Sequence, residues 1–188
     1  MRICVYCSSS IRVHCQYRET AEQLGRLLGE GGHTLVYGGA AIGLMGMIAR
    51  AVQRHGGRVV GVIPELLHRK EISFHRSDEL IVTEDLRRRK EVMERLAEAF
   101  VGLPGGFGTL EELLEIITLK QLGCHTKPVV LVNRRGFFDH LLNQFERLYR
   151  EGFTSPVFAG LYHTAAGPRE ALEYLREYRP LSLPEKWR

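Results

Sequence analysis

The chain predicts an α/β fold: a Rossmann-like, doubly wound, mostly parallel sheet in a single domain. Short apolar runs alternate with amphipathic helical patterns from one end to the other, as consecutive βαβ units do. Several runs are apolar without interruption, which suits strands covered on both faces. Glycine-rich turns follow two of them.

Strands are expected over residues 3–6, 34–37, 58–63, 79–83, 99–103 and 129–132. Helical patterns fill the gaps at 17–30, 44–55, 86–97, 110–122 and 137–151, and a last helix is expected over 168–178. Proline at the start of that last helix occupies a position helices favour. No repeat, low-complexity stretch or linker interrupts the pattern. One domain over 1–179 is expected, followed by a short tail over 180–188.

At 188 residues the chain is long enough to close one hydrophobic core, and 44% hydrophobic with 26% charged residues is an ordinary globular composition. No apolar run approaches the roughly 18 residues of a membrane span. Met1 leads almost at once into the first strand, which leaves no room for a signal peptide. A cytoplasmic protein with no membrane partner is expected. The net charge of +4 comes from 26 basic residues scattered among 22 acids. Only Arg87 to Lys90 form a dense cluster, so no nucleic-acid partner is expected. Cys4 and Cys7 have a zinc-like spacing that no second pair completes, and the eight histidines form no ligand grouping. Neither a metal nor a cofactor is expected.

The most informative window is Pro104-Gly-Gly-Phe-Gly-Thr-Leu-Glu-Glu112. An apolar strand stops at a proline, glycines 105, 106 and 108 follow, and an acidic helix is expected to begin at Thr109. Glycine lets backbone N–H groups approach a ligand closely, and a helix N-terminus carries about half a positive charge. Strand, glycine turn and helix start together make a phosphate site. Glu111 and Glu112, expected in the first helical turn, add nothing to phosphate binding and point to chemistry. The competing account is a capping box, since Thr109 and Glu112 have its Thr-x-x-Glu spacing.

In doubly wound sheets ligands sit beyond the carboxyl ends of the strands, at a switch in strand order. Two further segments would gather there: Tyr37-Gly-Gly-Ala-Ala-Ile-Gly-Leu-Met-Gly46, and Cys7-Ser-Ser-Ser10 with its hydroxyl and amide donors. The glycines do not spell the G-x-G-x-x-G dinucleotide fingerprint, and Leu44 stands where a P-loop needs lysine. Two glycine clusters in one small sheet protein point to an anionic, nucleotide-like ligand. Arg87, Arg88, Arg89 and Lys90 stand in what reads as a first helical turn after Thr83-Glu-Asp85. Cations there oppose the helix dipole, so at least one is expected to face a phosphate or a carboxylate. The others could simply spread into solvent.

These segments resemble the LOG family, the cytokinin riboside 5'-monophosphate phosphoribohydrolases, whose older annotations include lysine decarboxylase. Pro104 to Glu112 fits the PGGxGTxxE signature, and Arg89-Lys90 fits the Arg-Lys pair ahead of it. Cys4 to Ser10, Val36-Tyr-Gly-Gly39, Gly43-Leu-Met-Gly46, Gly61-Val-Ile-Pro64, Met93 and Gln121-Leu-Gly123 extend the likeness over nearly the whole chain. The resemblance implies a homodimer that hydrolyses the N-glycosidic bond of adenine-type nucleoside 5'-monophosphates, giving free base and ribose 5-phosphate. It makes Arg89 and Glu112 the catalytic pair. It assigns substrate binding to Glu71, Lys90, Gly105, Gly106, Gly108, Thr109 and Thr118, although a mid-helix threonine such as Thr118 is commonly just packed. Arg87 replaces a frequent histidine of the family, and Ala40 and Ala41 replace a glycine and a serine. These departures leave open whether AMP or an N6-substituted, cytokinin-type ribotide is preferred. A nucleotide-binding sensor or carrier of the same fold is the alternative to a hydrolase.

Overall fold

The computed structural model describes residues 1–70 and 72–180. Seven parallel strands form one sheet: β1 (Arg2–Tyr6), β2 (Thr34–Tyr37), β3 (Arg58–Pro64), β4 (Glu79–Thr83), β5 (Ala99–Gly102), β6 (Val129–Val132) and β7 (His163–Ala165). Their order is β4-β3-β2-β1-β5-β6-β7. The chain winds outward from β1 in one direction and resumes beside it at β5 in the other. The switch in strand order therefore lies between β1 and β5, in register from Ile3–Ala99 to Tyr6–Gly102.

Helices cover both faces: α1 (Cys15–Glu30), α2 (Gly43–Arg54), α3 (Glu65–His68), α4 (Leu86–Leu96), α5 (Phe107–Gln121), α6 (Asp139–Arg150) and α7 (Pro168–Glu177). Because successive side chains of a strand point to opposite faces, each central strand feeds two cores. Ile3 and Val5 of β1, with Val101 of β5 and Val130 and Val132 of β6, pack beneath α1, α2 and α7. Cys4 and Tyr6, with Phe100, Val129 and Leu131, pack beneath α4, α5 and α6. The uninterrupted apolar runs thus mark strands buried twice over.

All six expected strands form, within one residue of their expected ends. The seventh, β7, has three residues, His163-Thr-Ala165, too few for an alternation to register. The four-residue α3 likewise carries too little pattern to announce itself. The helix after the glycine turn starts at Phe107, two residues before Thr109, and no side chain caps it. The capping box therefore does not form, and Glu111 and Glu112 fall in the second turn. Asp85 does cap α4, its carboxylate accepting from the Arg88 amide at 2.7 Å. The expected tail falls outside the described residues from position 181 onward, and no helix among the described residues is long and apolar enough to cross a membrane.

Phe100 is wholly buried at the centre of the sheet. Its ring stacks on Tyr6 at 6.1 Å between centroids and meets His125 at 5.5 Å. Phe100→Ala is expected to lower the unfolding free energy by about 3–5 kcal/mol, read as an earlier midpoint in urea denaturation.

Candidate active site

The carboxyl ends of β1, β2 and β5 open into a cavity of about 480 Å³. Each strand end hands it a different chemistry. Ser8, Ser9 and Ser10 come from the turn after β1, Gly38, Ala40 and Ile42 from the turn after β2, and Gly106 to Thr109 from the turn after β5. Arg89 of α4 and Glu112 of α5 lie at its floor.

Arg89 and Glu112 meet there as a buried ion pair. The Arg89 guanidinium donates through Nη1 to Glu112 Oε1 at 2.7 Å and through Nε to the Val62 carbonyl at 3.1 Å. Both side chains are about nine-tenths buried. Burial pushes the Glu112 carboxyl above its ordinary value, and the Arg89 charge and hydrogen bond only partly pull it back. The arginine favours the ionised carboxylate, but desolvation outweighs it. A carboxylate whose proton affinity has been raised is a better base at neutral pH than an exposed one.

The two glycine clusters have different physical causes. A Cβ on Gly38 would stand 2.3 Å from Arg89 Nη2, so that glycine makes room for the arginine. Gly43 has φ of +59°, and a Cβ there would meet the Ser9 backbone at 2.3 Å. The amides of Leu44 and Met45 donate to the Ser8 carbonyl at 2.9 and 3.3 Å, so the start of α2 is already satisfied by protein. The 38–46 segment does reach the cavity, and its glycines at 38 and 43 are also required by close packing.

The cluster at 105–108 behaves otherwise. Gly105 packs on Thr109, whose Oγ1 would lie 2.1 Å from a Cβ. Gly106 and Gly108 would place a Cβ in open space, with no protein atom within 4 Å. No neighbouring protein atom requires glycine at these two positions. The first backbone bond into α5 runs from Leu110 to the Gly106 carbonyl at 3.1 Å. The amides of Phe107, Gly108 and Thr109 are thereby left without a partner among the described residues. Three free amides at the positive end of a 15-residue helix are donors suited to an anion.

The expected site residues divide accordingly. Arg89, Glu112, Gly106, Gly108 and Thr109 line one cavity. Gly105 stands just behind it. Lys90 sits beside the cavity but is engaged elsewhere: it pairs with Glu111 and, at 3.0 Å, with Glu115. Burial works against its charge, yet the two carboxylates raise its pKa overall. Thr118 lies exposed on α5, away from the cavity, donating to the Leu114 carbonyl at 2.7 Å. Glu71 lies outside the described residues. Burial pushes the thiols of Cys4 in β1 and Cys7 just after it far up, which disfavours the thiolate at both.

Two lining residues, Leu67 of α3 and Ile72 after it, lie in no segment that the sequence placed at the site. With Ile42, Met45 and Phe107 they make much of the lining apolar, and the Val62 carbonyl orients Arg89. A carbonyl has no sequence signature, and single apolar residues on a short helix or a loop look like any others. Phe107 gave the one available signal, an aromatic within a glycine turn, and it stands 93% exposed at the rim.

Fold and site together define a Rossmann-like α/β protein whose cavity joins the unpaired amides at the start of α5 to a buried arginine–glutamate pair. Residues 45–175 match the family model described as "Possible lysine decarboxylase". Among curated proteins, the chain is 45% identical over 179 residues to the cytokinin riboside 5'-monophosphate phosphoribohydrolase LOG7 of Arabidopsis thaliana, covering 95% of this chain and 82% of that one. The corresponding LOG enzyme of Oryza sativa subsp. japonica is 44% identical, with 95% and 74% covered. The chain belongs to this LOG family. Solved structures share the fold at lower identity. The Moco carrier protein of Chlamydomonas reinhardtii superposes with a TM-score of 0.71 at 22% identity, covering 94% of this chain and 95% of that one. The molybdenum cofactor binding protein of Rippkaea orientalis gives 0.69 at 20%, with 93% of each chain covered.

The contrast between Gly108 and its surroundings can be tested. Gly108→Ala adds a methyl group to open space inside a helix, so it is expected to raise stability by about 0.5–1 kcal/mol. The same methyl sits among the unpaired amides, and affinity for a phosphate-bearing ligand should fall at least tenfold. Thermal unfolding and titration calorimetry on one preparation read both effects.

Proposed function

We propose that the protein hydrolyses the N-glycosidic bond of nucleoside 5'-monophosphates of adenine type, including N6-substituted cytokinin ribotides, releasing the base and ribose 5-phosphate. One observation carries this reading: a desolvated carboxylate, Glu112, held by Arg89 in the same cavity as the unpaired amides that open α5. A protein that only bound phosphate would gain nothing from that carboxylate. The names of the family relatives point to the same substrate class.

Each group has a task in such a reaction. The 5'-phosphate accepts hydrogen bonds from the amides of Phe107, Gly108 and Thr109 and fixes the ribose over the cavity floor, so binding energy remote from the bond orients the reacting carbon. As the C–N bond lengthens, positive charge builds on the ribose ring, as in other glycosyl transfers. Glu112, ionised, stabilises that charge and takes a proton from the attacking water. Arg89, anchored on the Val62 carbonyl, keeps the carboxylate aimed. The base leaves along the apolar lining of Ile42, Met45, Leu67 and Ile72 and takes up a proton on the released ring nitrogen, which balances the one Glu112 removes from water. That lining suits an adenine carrying an apolar N6 group.

A pyridoxal-dependent decarboxylase, which the family description suggests, needs a lysine at the site. Among the described residues no lysine lines the cavity. Lys90 is paired with two glutamates, while Lys120 and Lys127 donate to the carbonyls of Leu161 and Glu94.

The test is chromatographic detection of free base from AMP and from N6-isopentenyladenosine monophosphate. Glu112→Gln, which still accepts from Arg89, and Arg89→Ala are each expected to cut release by about 10²–10⁴-fold, while Glu112→Gln keeps ligand affinity. Adenosine, lacking the anchoring phosphate, should be a poor substrate. The reaction uses ionised Glu112, whose carboxyl titrates above 4.5. Activity should thus be present at neutral pH and decline as pH falls through that raised value. Tight AMP binding with no base release would replace the hydrolase with a sensor or carrier.

We further infer a homodimer. Leu114, Thr118 and Leu122 recur every four residues along α5, and all three are exposed. A second copy covering this stripe would bring Thr118 into an interface, the setting in which it could reach a neighbouring site. Light scattering should give twice the chain mass, and Leu114→Glu with Leu122→Glu should give the monomer; a monomeric parent chain would refute the dimer.

A further inference from the structure

We propose that Lys90 is a positioning residue for the glycosidic cleavage and not, as the family resemblance implies, a contact of the nucleotide. Clamped by Glu111 and Glu115, it holds α4 in register with α5 and so keeps Glu112 aimed at the ribose. This inference rests on the hydrolase reading above, in which Glu112 is the base.

Arg89 and Lys90 follow one another on α4, and Glu111 and Glu112 follow one another on α5. They pair crosswise. Arg89 meets Glu112 at the cavity floor at 2.7 Å, while Lys90 Nζ meets Glu111 and, at 3.0 Å, Glu115 Oε2 one turn further on. Successive helical residues point about 100° apart, so the two basic side chains reach α5 on different sides. One pair alone would let α4 pivot about it; the second removes that freedom.

Exposure decides what Lys90 does. Its side chain is 15% exposed, against 57% and 39% for its two partners, and it does not line the active-site cavity. The ammonium is drawn onto the flank of α5, where two carboxylates accept from it. Salt bridges to exposed carboxylates add little stability, so holding the fold together is a poor reason for the arrangement. Glu111 has no step of its own in the reaction, yet it stands one turn from the amides of residues 107–109. An uncompensated carboxylate there would repel a phosphate. Lys90 compensates it.

The clamp also reaches Glu112 through charge. Among the described residues, Glu112 has around it Arg89 and Lys90 of α4, Glu111 and Glu115 of α5, and Cys4, Tyr6 and Cys7 from β1 and the turn after it. Burial pushes the last three far up, so they stay neutral. Burial also raises the Glu112 carboxyl most; Arg89 opposes it, Glu111 adds to it and Lys90 opposes it. Lys90 and Glu111 thus act on one carboxyl in opposite senses, which two halves of a purely mechanical clamp would not do.

The test follows AMP hydrolysis against pH in the parent chain and in Lys90→Met, Lys90→Arg and Glu111→Gln. In each, the Glu112 carboxyl is titrated by carboxyl-carbon NMR. Lys90→Met is expected to lower kcat at neutral pH by about tenfold or more while KM changes by less than about threefold. Its Glu112 midpoint and the acid limb of its kcat profile should both move to higher pH, because the ionised carboxylate loses a favourable charge. In Glu111→Gln, whose amide oxygen still accepts from Lys90, both should move to lower pH. Lys90→Arg, which keeps charge and reach, should recover most of the lost kcat. A rise in KM of about tenfold or more at unchanged kcat would make Lys90 a nucleotide contact and overturn the proposal. Midpoints that stay put, or that move the same way in Lys90→Met and Glu111→Gln, would overturn it as well. No base release from the parent, with the two midpoints still moving apart, would refute the hydrolase reading and leave the hold of Lys90 on Glu112 standing, since the titration needs no turnover.

Discussion

The structure turns on one buried ion pair. Glu112 sits on α5 and Arg89 on α4, two helices from different βα units, and their contact closes the floor of the cavity. Removing either partner would leave the other charged, buried and unpaired, which costs about 3–5 kcal/mol in typical cases. A hydrophobic pair would hold the helices together as well. Keeping a charged pair there makes sense only if the charge is used. Much of the surrounding architecture serves it: the Val62 carbonyl fixes the guanidinium, and Gly38 withdraws to give it space.

Topology brings the parts together. The order β4-β3-β2-β1-β5-β6-β7 places β1 at the centre, so the turns after β1, β2 and β5 converge on one edge. At that edge the start of α2 is closed by the Ser8 carbonyl, whereas the start of α5 is left open. Two helices with glycine-rich approaches therefore differ: one is anchored by protein, the other keeps its first amides free. The hydrogen bonds of the amides make that distinction; the glycine count does not.

The fold was legible because buried parallel strands write unbroken apolar runs, and because both the Pro104 to Glu112 and the Arg87 to Lys90 segments break ordinary helix-start habits. Cations at the start of α4 oppose its dipole, and one of them, Arg89, proved to face a buried carboxylate. What stayed hidden was what single residues cannot encode. Thr109 and Glu112 have capping-box spacing, but the helix begins two residues earlier, with Gly106 as its uncapped first acceptor. The glycines of 38–46 looked like ligand contacts, yet their neighbours are Arg89 and Ser9. The balance of burial against Arg89 at Glu112 depends on three-dimensional desolvation. The apolar lining draws single residues from several elements, Met45 of α2 and Leu67 of α3 among them, and so has no periodicity.

The most direct measurement is a crystal structure of the Glu112→Gln chain soaked with uncleaved N6-isopentenyladenosine monophosphate. The account predicts the 5'-phosphate on the amides of residues 107–109, the anomeric carbon facing residue 112 beside Arg89, and the base along the Ile42 and Leu67 wall. A phosphate bound elsewhere, or a ribose turned away from residue 112, would contradict it.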